Sequence, residues 1–286
     1  WGLRATGVDR TTATGRGIRV AVLDTGLDLA HPDFSGSTIT TQSFVAGETA
    51  QDAQGHGTHT TGTACGAADP PTGPRYGVAP EAEIFHGKVL NDQGFGTDAY
   101  ILAGIDWAIT NGCQVISMSL GADVEQVSPA YELVGWRALA AGTLIIAAAG
   151  NNAHRDTNDP GFVGIPANSP SVMAVGAVDA NLTIASFSSG ANPGVPGAEV
   201  DVVAPGVAVY SSWPLPRRYN TISGTSMATP HVAGLAALWA QSSGVTAQAL
   251  WDAIVTNARA LPLPVADVGA GLAQAPAPGP SAPPSD

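Results

Sequence analysis

Short apolar runs, separated by longer segments of helical periodicity, set the first expectation for this chain. Continuous apolar stretches at 18–23, 83–89, 115–118, 143–148 and 171–175 predict strands buried on both faces. Between them, 56–65, 97–111 and 128–141 predict helices. In the second, Ile101, Leu102, Ile105 and Ile109 recur at helical spacing, and Gly112 supplies the stop. Two further helices are expected at 226–241 and 246–258. This alternation predicts an α/β fold, with a mainly parallel central sheet and helices on both faces. Its crossovers should be right-handed, and its functional site should lie at the carboxyl ends of the strands. From Gln274 to Asp286, Pro, Ala and Ser dominate and the periodicity stops. One domain over 1–273, followed by a flexible tail or linker over 274–286, is the organisation expected.

Composition narrows the classes of function. The 286 residues are 44% hydrophobic and only 12% charged, enough for one large core. A formal net charge of −12 argues against a nucleic-acid partner, whose phosphates would be repelled. No run approaches the ~20 apolar residues that a membrane-crossing helix needs. The opening Trp1-Gly2-Leu3-Arg4 lacks the basic start and apolar stretch of a signal peptide, as expected of a mature chain. Cys65 and Cys113 allow either one disulfide or two buried thiols.

Four segments carry chemistry. In Val22-Leu23-Asp24-Thr25-Gly26 an apolar strand ends in a carboxylate. In Gly55-His56-Gly57-Thr58-His59 an uncrowded imidazole opens a helix. The two histidines lack the Glu of a zinc-hydrolase helix, so a general base fits His56 better than a metal ligand, and His59 is assigned to packing. In Gly224-Thr225-Ser226-Met227-Ala228 a small serine stands at a helix start. There unpaired N–H groups and the helix dipole favour negative charge. In Ala147-Ala148-Ala149-Gly150-Asn151 small residues keep a groove open, and the Asn amide can donate to an oxyanion. Each segment alone has a plainer explanation: a turn Asp, an N-cap Ser, a turn Asn. The stretch 94–99 also reads as G-x-G-x-x-A, but lacks the following acidic strand end of a dinucleotide site.

Taken together and in this order, the segments resemble the subtilisin-like serine peptidases from about Trp1 to Ala273, with His31-Pro32-Asp33, Gly77-Val78-Ala79-Pro80 and Ser117-Met118-Ser119-Leu120-Gly121 also family-like. The resemblance implies a three-layer sandwich and a secreted, monomeric serine endopeptidase acting on peptides or proteins without a catalytic cofactor. Ser226 would be the nucleophile, His56 the base and Asp24 its partner, with Asn151 in the oxyanion hole. Substrate would pair as an added strand between Gly94, Phe95, Gly96 and Ser119, Leu120, Gly121. A primary pocket walled by Ala148, Ala149, Gly150 and Gly164 would take bulky apolar or aromatic side chains. Asp98 stands where the family often has an aromatic residue bordering a more distant subsite. A structural calcium ion is expected of the family, with Asp33 matching one ligand. The loop 67–76, however, carries adjacent prolines and an arginine, a poor oxygen cage. The rival readings are a transpeptidase or cyclase using the same acyl-enzyme, a catalytically silent binding module, and a metal-dependent hydrolase.

Overall fold

A computed structural model describes residues 1–277. Seven strands form the central sheet: β1 (Arg19–Asp24), β2 (Ile39–Ser43), β3 (Glu83–Lys88), β4 (Val115–Met118), β5 (Leu144–Ala148), β6 (Met173–Val178) and β7 (Val202–Pro205). Their order is β2-β3-β1-β4-β5-β6-β7, and every pairing is parallel. An antiparallel hairpin, β8 (Val209–Ser212) with β9 (Tyr219–Ile222), stands apart. The helices are α1 (Gly2–Ala5), α2 (His56–Cys65), α3 (Asp98–Thr110), α4 (Pro129–Ala140), α5 (Thr225–Ser243), α6 (Ala247–Thr256) and α7 (Val265–Val268).

Strand side chains alternate between two cores, as the period of two demands. Val20, Val22, Leu144, Ile146, Met173 and Val175 face Ala64, Cys65, Val232, Leu235 and Leu250, from α2, α5 and α6. Their neighbours Ala21, Leu23, Ile116, Ile145 and Ala174 face Ile101, Ile105, Tyr131 and Val134, from α3 and α4. The parallel sheet with helices on both faces, read from the apolar runs, and the three-layer sandwich that the resemblance implied are therefore the observed architecture. Cys65 and Cys113 are both free and buried, one in each core.

Element ends follow local chemistry. The Thr97 hydroxyl accepts from Tyr100 N and starts α3, and Pro129 opens α4. Sequence reading passed over β2, β7 and the hairpin. β2 is Ile-Thr-Thr-Gln-Ser, a half-exposed edge paired only to β3, so it lacks an apolar run. β7 is a four-residue segment ending in Pro205. The 171–175 run is shifted: the strand begins at Met173 and continues to Val178. At the far end, Gln274 and Ala275 lie on the domain. Trp239 Nε1 donates to Gln274 O at 2.9 Å, and Ala275 N donates to Thr6 O at 2.7 Å. Residues 278–286 of the expected tail lie outside the described residues.

Candidate active site

The carboxyl ends of β1, β4 and β5 and the amino ends of α2 and α5 converge on one cleft of about 600 Å³. Thr25, His56, Asn151 and Ser226 line it, and Asp24 lies beneath, fully buried. Asp24 Oδ1 accepts from His56 Nδ1 at 2.8 Å and from Thr25 N at 2.7 Å, while Oδ2 accepts from Thr60 Oγ1 at 2.9 Å. A carboxylate can only accept, so the neutral ring carries its proton on Nδ1 and keeps Nε2 as a base. Burial works against the charge on Asp24. The His56 charge and hydrogen bond outweigh it and hold the carboxyl below its ordinary range. His56 is likewise opposed by burial, but Asp24, with Asp52 behind it, raises the ring above the usual imidazole value.

The His56 end of α2 is built by Asp52, a residue that sequence reasoning passed over. Its Oδ1 accepts from Gln54 N, Gly55 N and Thr25 Oγ1 at 3.0, 2.8 and 3.0 Å. Its Oδ2 accepts from Thr58 N at 2.9 Å and Thr58 Oγ1 at 2.7 Å. The signal was available: an Asp three residues before the Gly at a helix start. Gly57 is required by close approach, since a Cβ there would lie 2.2 Å from Gly26 O. His59 is buried, with Nε2 bonded to Val209 O at 3.0 Å, in keeping with a packing role.

Ser226 is the second residue of α5. Pro230, four residues on, has no N–H to give its carbonyl, and Ser119 Oγ donates to Ser226 O at 2.7 Å instead. The Ser226 hydroxyl donates back to Ser119 O at 3.3 Å, so in this structure it points at the β4 end rather than at the imidazole. Asn151 Oδ1 accepts from Thr225 N at 2.9 Å and Thr225 Oγ1 at 3.0 Å. Both acceptor positions being used, the amide is locked with Nδ2 free, beside the amino end of α5. Thr225 is a second positioning residue that single motifs did not reveal.

All ten residues expected to contact substrate line the same cleft: Gly94, Phe95, Gly96, Ser119, Leu120, Gly121, Ala148, Ala149, Gly150 and Gly164. The glycine-rich stretch 94–99 is thus a cleft wall. Asp92, two residues before this wall, does not line the cleft and binds Lys88 Nζ at 2.8 Å. Gly164 admits no larger residue, because a Cβ would meet Ala122 O at 2.3 Å. Further lining comes from Gln54, Asp98, Ile101, Asp123, Tyr131 and Ile165. Of these only Asp98 was placed near the site from the sequence, because the α3 and α4 positions, Ile101 among them, look like ordinary core or surface sites in one dimension.

Asp33 does not fit a calcium ligand. Tyr76 Oη donates to its Oδ2 at 2.6 Å and Tyr219 Oη to its Oδ1 at 3.2 Å, so both carboxylate oxygens are occupied by protein donors. Among the described residues no cluster of three His, Cys, Asp or Glu side chains could hold a metal ion, and the Asp156 to Asp159 loop forms none.

Residues 15–272 match the model of the subtilase family. The chain is 45% identical to subtilisin DY of Bacillus licheniformis over 225 residues, covering 78% of this chain and 77% of that protein. It is 44% identical to subtilisin E of Bacillus subtilis over 229 residues, 79% of this chain but only 56% of that protein, so it spans about half the length of that relative. It is 42% identical to subtilisin Savinase of Lederbergia lenta over 249 residues, 85% and 84% of the two chains.

Proposed function

The chain belongs to the subtilase family, and on that premise we propose that it is a secreted, monomeric serine endopeptidase hydrolysing peptide bonds through Asp24, His56 and Ser226. The reading is carried by one arrangement: a buried Asp24–His56 bond of 2.8 Å, opening onto a cleft that also holds Ser226 at a helix start. Rotation about the Cα–Cβ bond of Ser226 frees its hydroxyl from Ser119 O. The hydroxyl-to-imidazole bond that then forms is of a kind that commonly tightens only when substrate is bound. Ser226 Oγ then attacks the scissile carbonyl carbon while its proton passes to His56 Nε2. The imidazolium formed is stabilised by Asp24. The oxyanion accepts from Asn151 Nδ2 and Ser226 N–H, near the positive end of α5. As the C–N bond breaks, Nε2 returns its proton to the leaving amine. Water, deprotonated by the same nitrogen, then attacks the acyl carbon, and as the bond to Ser226 Oγ breaks the proton passes from Nε2 to Oγ, freeing the acid and restoring the serine. No metal ion or cofactor enters these steps.

An extended peptide pairs between 94–96 and 119–121. The small walls Ala148, Ala149, Gly150 and Gly164 leave room for a bulky apolar side chain before the cut. Asp123 stands at the cleft with its Oδ1 held by Asn152 Nδ2 at 3.0 Å. The test is a fluorophosphonate probe. It should label the wild type at Ser226 and leave Ser226→Ala unlabelled, and a wild type that stays unlabelled removes the reading. Cleavage of a chromogenic peptide panel should favour Phe and Leu over Arg and Glu immediately before the cut.

A further inference from the structure

The cleft carries a charge pattern that its apolar primary pocket does not explain. Asp98 and Asp123 both line it, and among the described residues no Lys or Arg does. Asp98 is the first residue of α3, where a carboxylate is favoured by the helix dipole alone. Its setting goes further than capping, because Tyr131, from α4, reaches across and donates from Oη to Asp98 Oδ1 at 2.9 Å. The Tyr131 side chain is only 2% exposed, whereas Asp98 is exposed to solvent. Burial, reinforced by Asp98, pushes the Tyr131 hydroxyl upward, so it stays a donor throughout the working pH range. A rigid, buried donor therefore pins one carboxylate oxygen, while the other has no protein donor among the described residues and Asp98 lines the groove. Beside this pair, Ile101 and Leu120 are nearly buried and form an apolar floor. Apolar stem below and carboxylate at the rim is the shape that suits a long cationic side chain, whose methylenes pack while its head meets the charge.

We propose that Asp98, presented by Tyr131, makes this part of the cleft a subsite for an Arg or Lys side chain of the substrate, upstream of the scissile bond. The proposal rests on the peptidase reading and names a substrate class for it: peptides carrying a cation a few residues before an apolar residue at the cut. The overall net charge of −12 adds a favourable field for such substrates.

The test uses internally quenched peptides with Phe before the scissile bond and Arg, Leu or Glu at each of the second to fifth upstream positions. At one position, kcat/KM should rank Arg over Leu over Glu, with Arg ahead of Leu by about fivefold, the size of a well-placed exposed ion pair. The Arg preference should shrink between 0.05 and 0.5 M salt, on the order of the screening expected of an exposed pair. Asp98→Asn should bring the Arg-to-Leu ratio near one, Tyr131→Phe should lower it part-way, and Asp123→Asn should leave the ratio in place. Leu ahead of Arg at every position, or a ratio unmoved by Asp98→Asn or lost in Asp123→Asn, overturns the assignment. The same peptides are also titrated against Ser226→Ala, with binding read by fluorescence. If no peptide is cut, the peptidase reading falls, while tighter binding of the Arg peptide, abolished by Asp98→Asn, still supports the subsite and equal binding overturns it.

Discussion

Asp24 has no exposed surface, and its two oxygens accept three hydrogen bonds. That pairing dictates how the site should respond to acid. With His56 raised by its carboxylate partner, the ring protonates at a higher pH than a free imidazole. A base must be neutral, so the acid limb of the kcat/KM profile should lie above the ordinary histidine value of about 6.5. Asp24→Asn should both cripple the rate and move what remains of that limb. The linkage to stability has the opposite sense. A raised imidazole contributes fully below its unfolded value, and the contribution is lost as pH rises through the raised one. Asn151 makes the second residue-scale case. Its Oδ1 is spent on Thr225, leaving Nδ2 free for the oxyanion role proposed for it. Asn151→Ala should lower kcat by about 10² to 10³ while KM moves little. Thr225→Val should lower kcat less, since it disturbs only the aim of the amide.

At the scale of the element, the proposed base His56 and nucleophile Ser226 stand at the starts of two helices, each finished by a side-chain partner. α2 is capped by four bonds to Asp52, whose Oδ1 accepts a fifth from Thr25. Asp52→Ala should cost at least about 2 kcal/mol in urea unfolding, because several buried donors lose their acceptor together. It should also depress kcat, as His56 is the first residue of that helix. α5 is interrupted by Pro230, and the carbonyl this leaves on Ser226 is satisfied by Ser119. The segment after β4 and the start of α5 are thereby joined at the proposed nucleophile. Ser119→Ala should lower the thermal midpoint by the equivalent of about 1 kcal/mol, the usual worth of one such bond.

Across the whole molecule, buried histidines govern behaviour in acid. Burial drives His59 down to about 3, and His86 and His231 down to about 4. Unfolded, each would protonate near 6.5, so below that pH the unfolded chain takes up protons that the folded chain refuses, and acid favours unfolding. Asp201 acts in the other sense, since burial raises it to about 7 and the folded state holds its proton in the same window. Three ring protons against one carboxyl proton leave the unfolded chain binding about two more near pH 5. The urea midpoint should therefore fall steeply from pH 6.5 towards 4, with a slope of about two protons. The cluster around Asp33 makes a further whole-molecule case. Tyr76, Tyr210 and Tyr219 pack ring against ring, and the Tyr76 and Tyr219 hydroxyls donate to the Asp33 carboxylate. Thermal unfolding should have the same midpoint with and without EDTA, whereas Tyr76→Phe should lower it.

Much of this protein can be read in one dimension. Buried parallel strands need unbroken apolar runs, and helices between them need their own period. The five main strands, the helix starts and the α/β class all follow from local pattern. Asp24, His56, Ser226 and Asn151 stood out because each sits at a strand end or helix start among small residues, where special chemistry leaves a compositional mark. Tertiary structure alone decided what comes from contact between distant segments. It placed Tyr131 on Asp98, Thr225 on Asn151 and Ser119 on Ser226, and it filled Asp33 with tyrosine hydroxyls instead of leaving it for an ion. None of these pairs has a periodicity, because hydrogen bonds across a fold depend on where elements stack and not on their spacing along the chain. The polar edge strand β2 escaped notice for a related reason: only its neighbour, β3, makes it a strand.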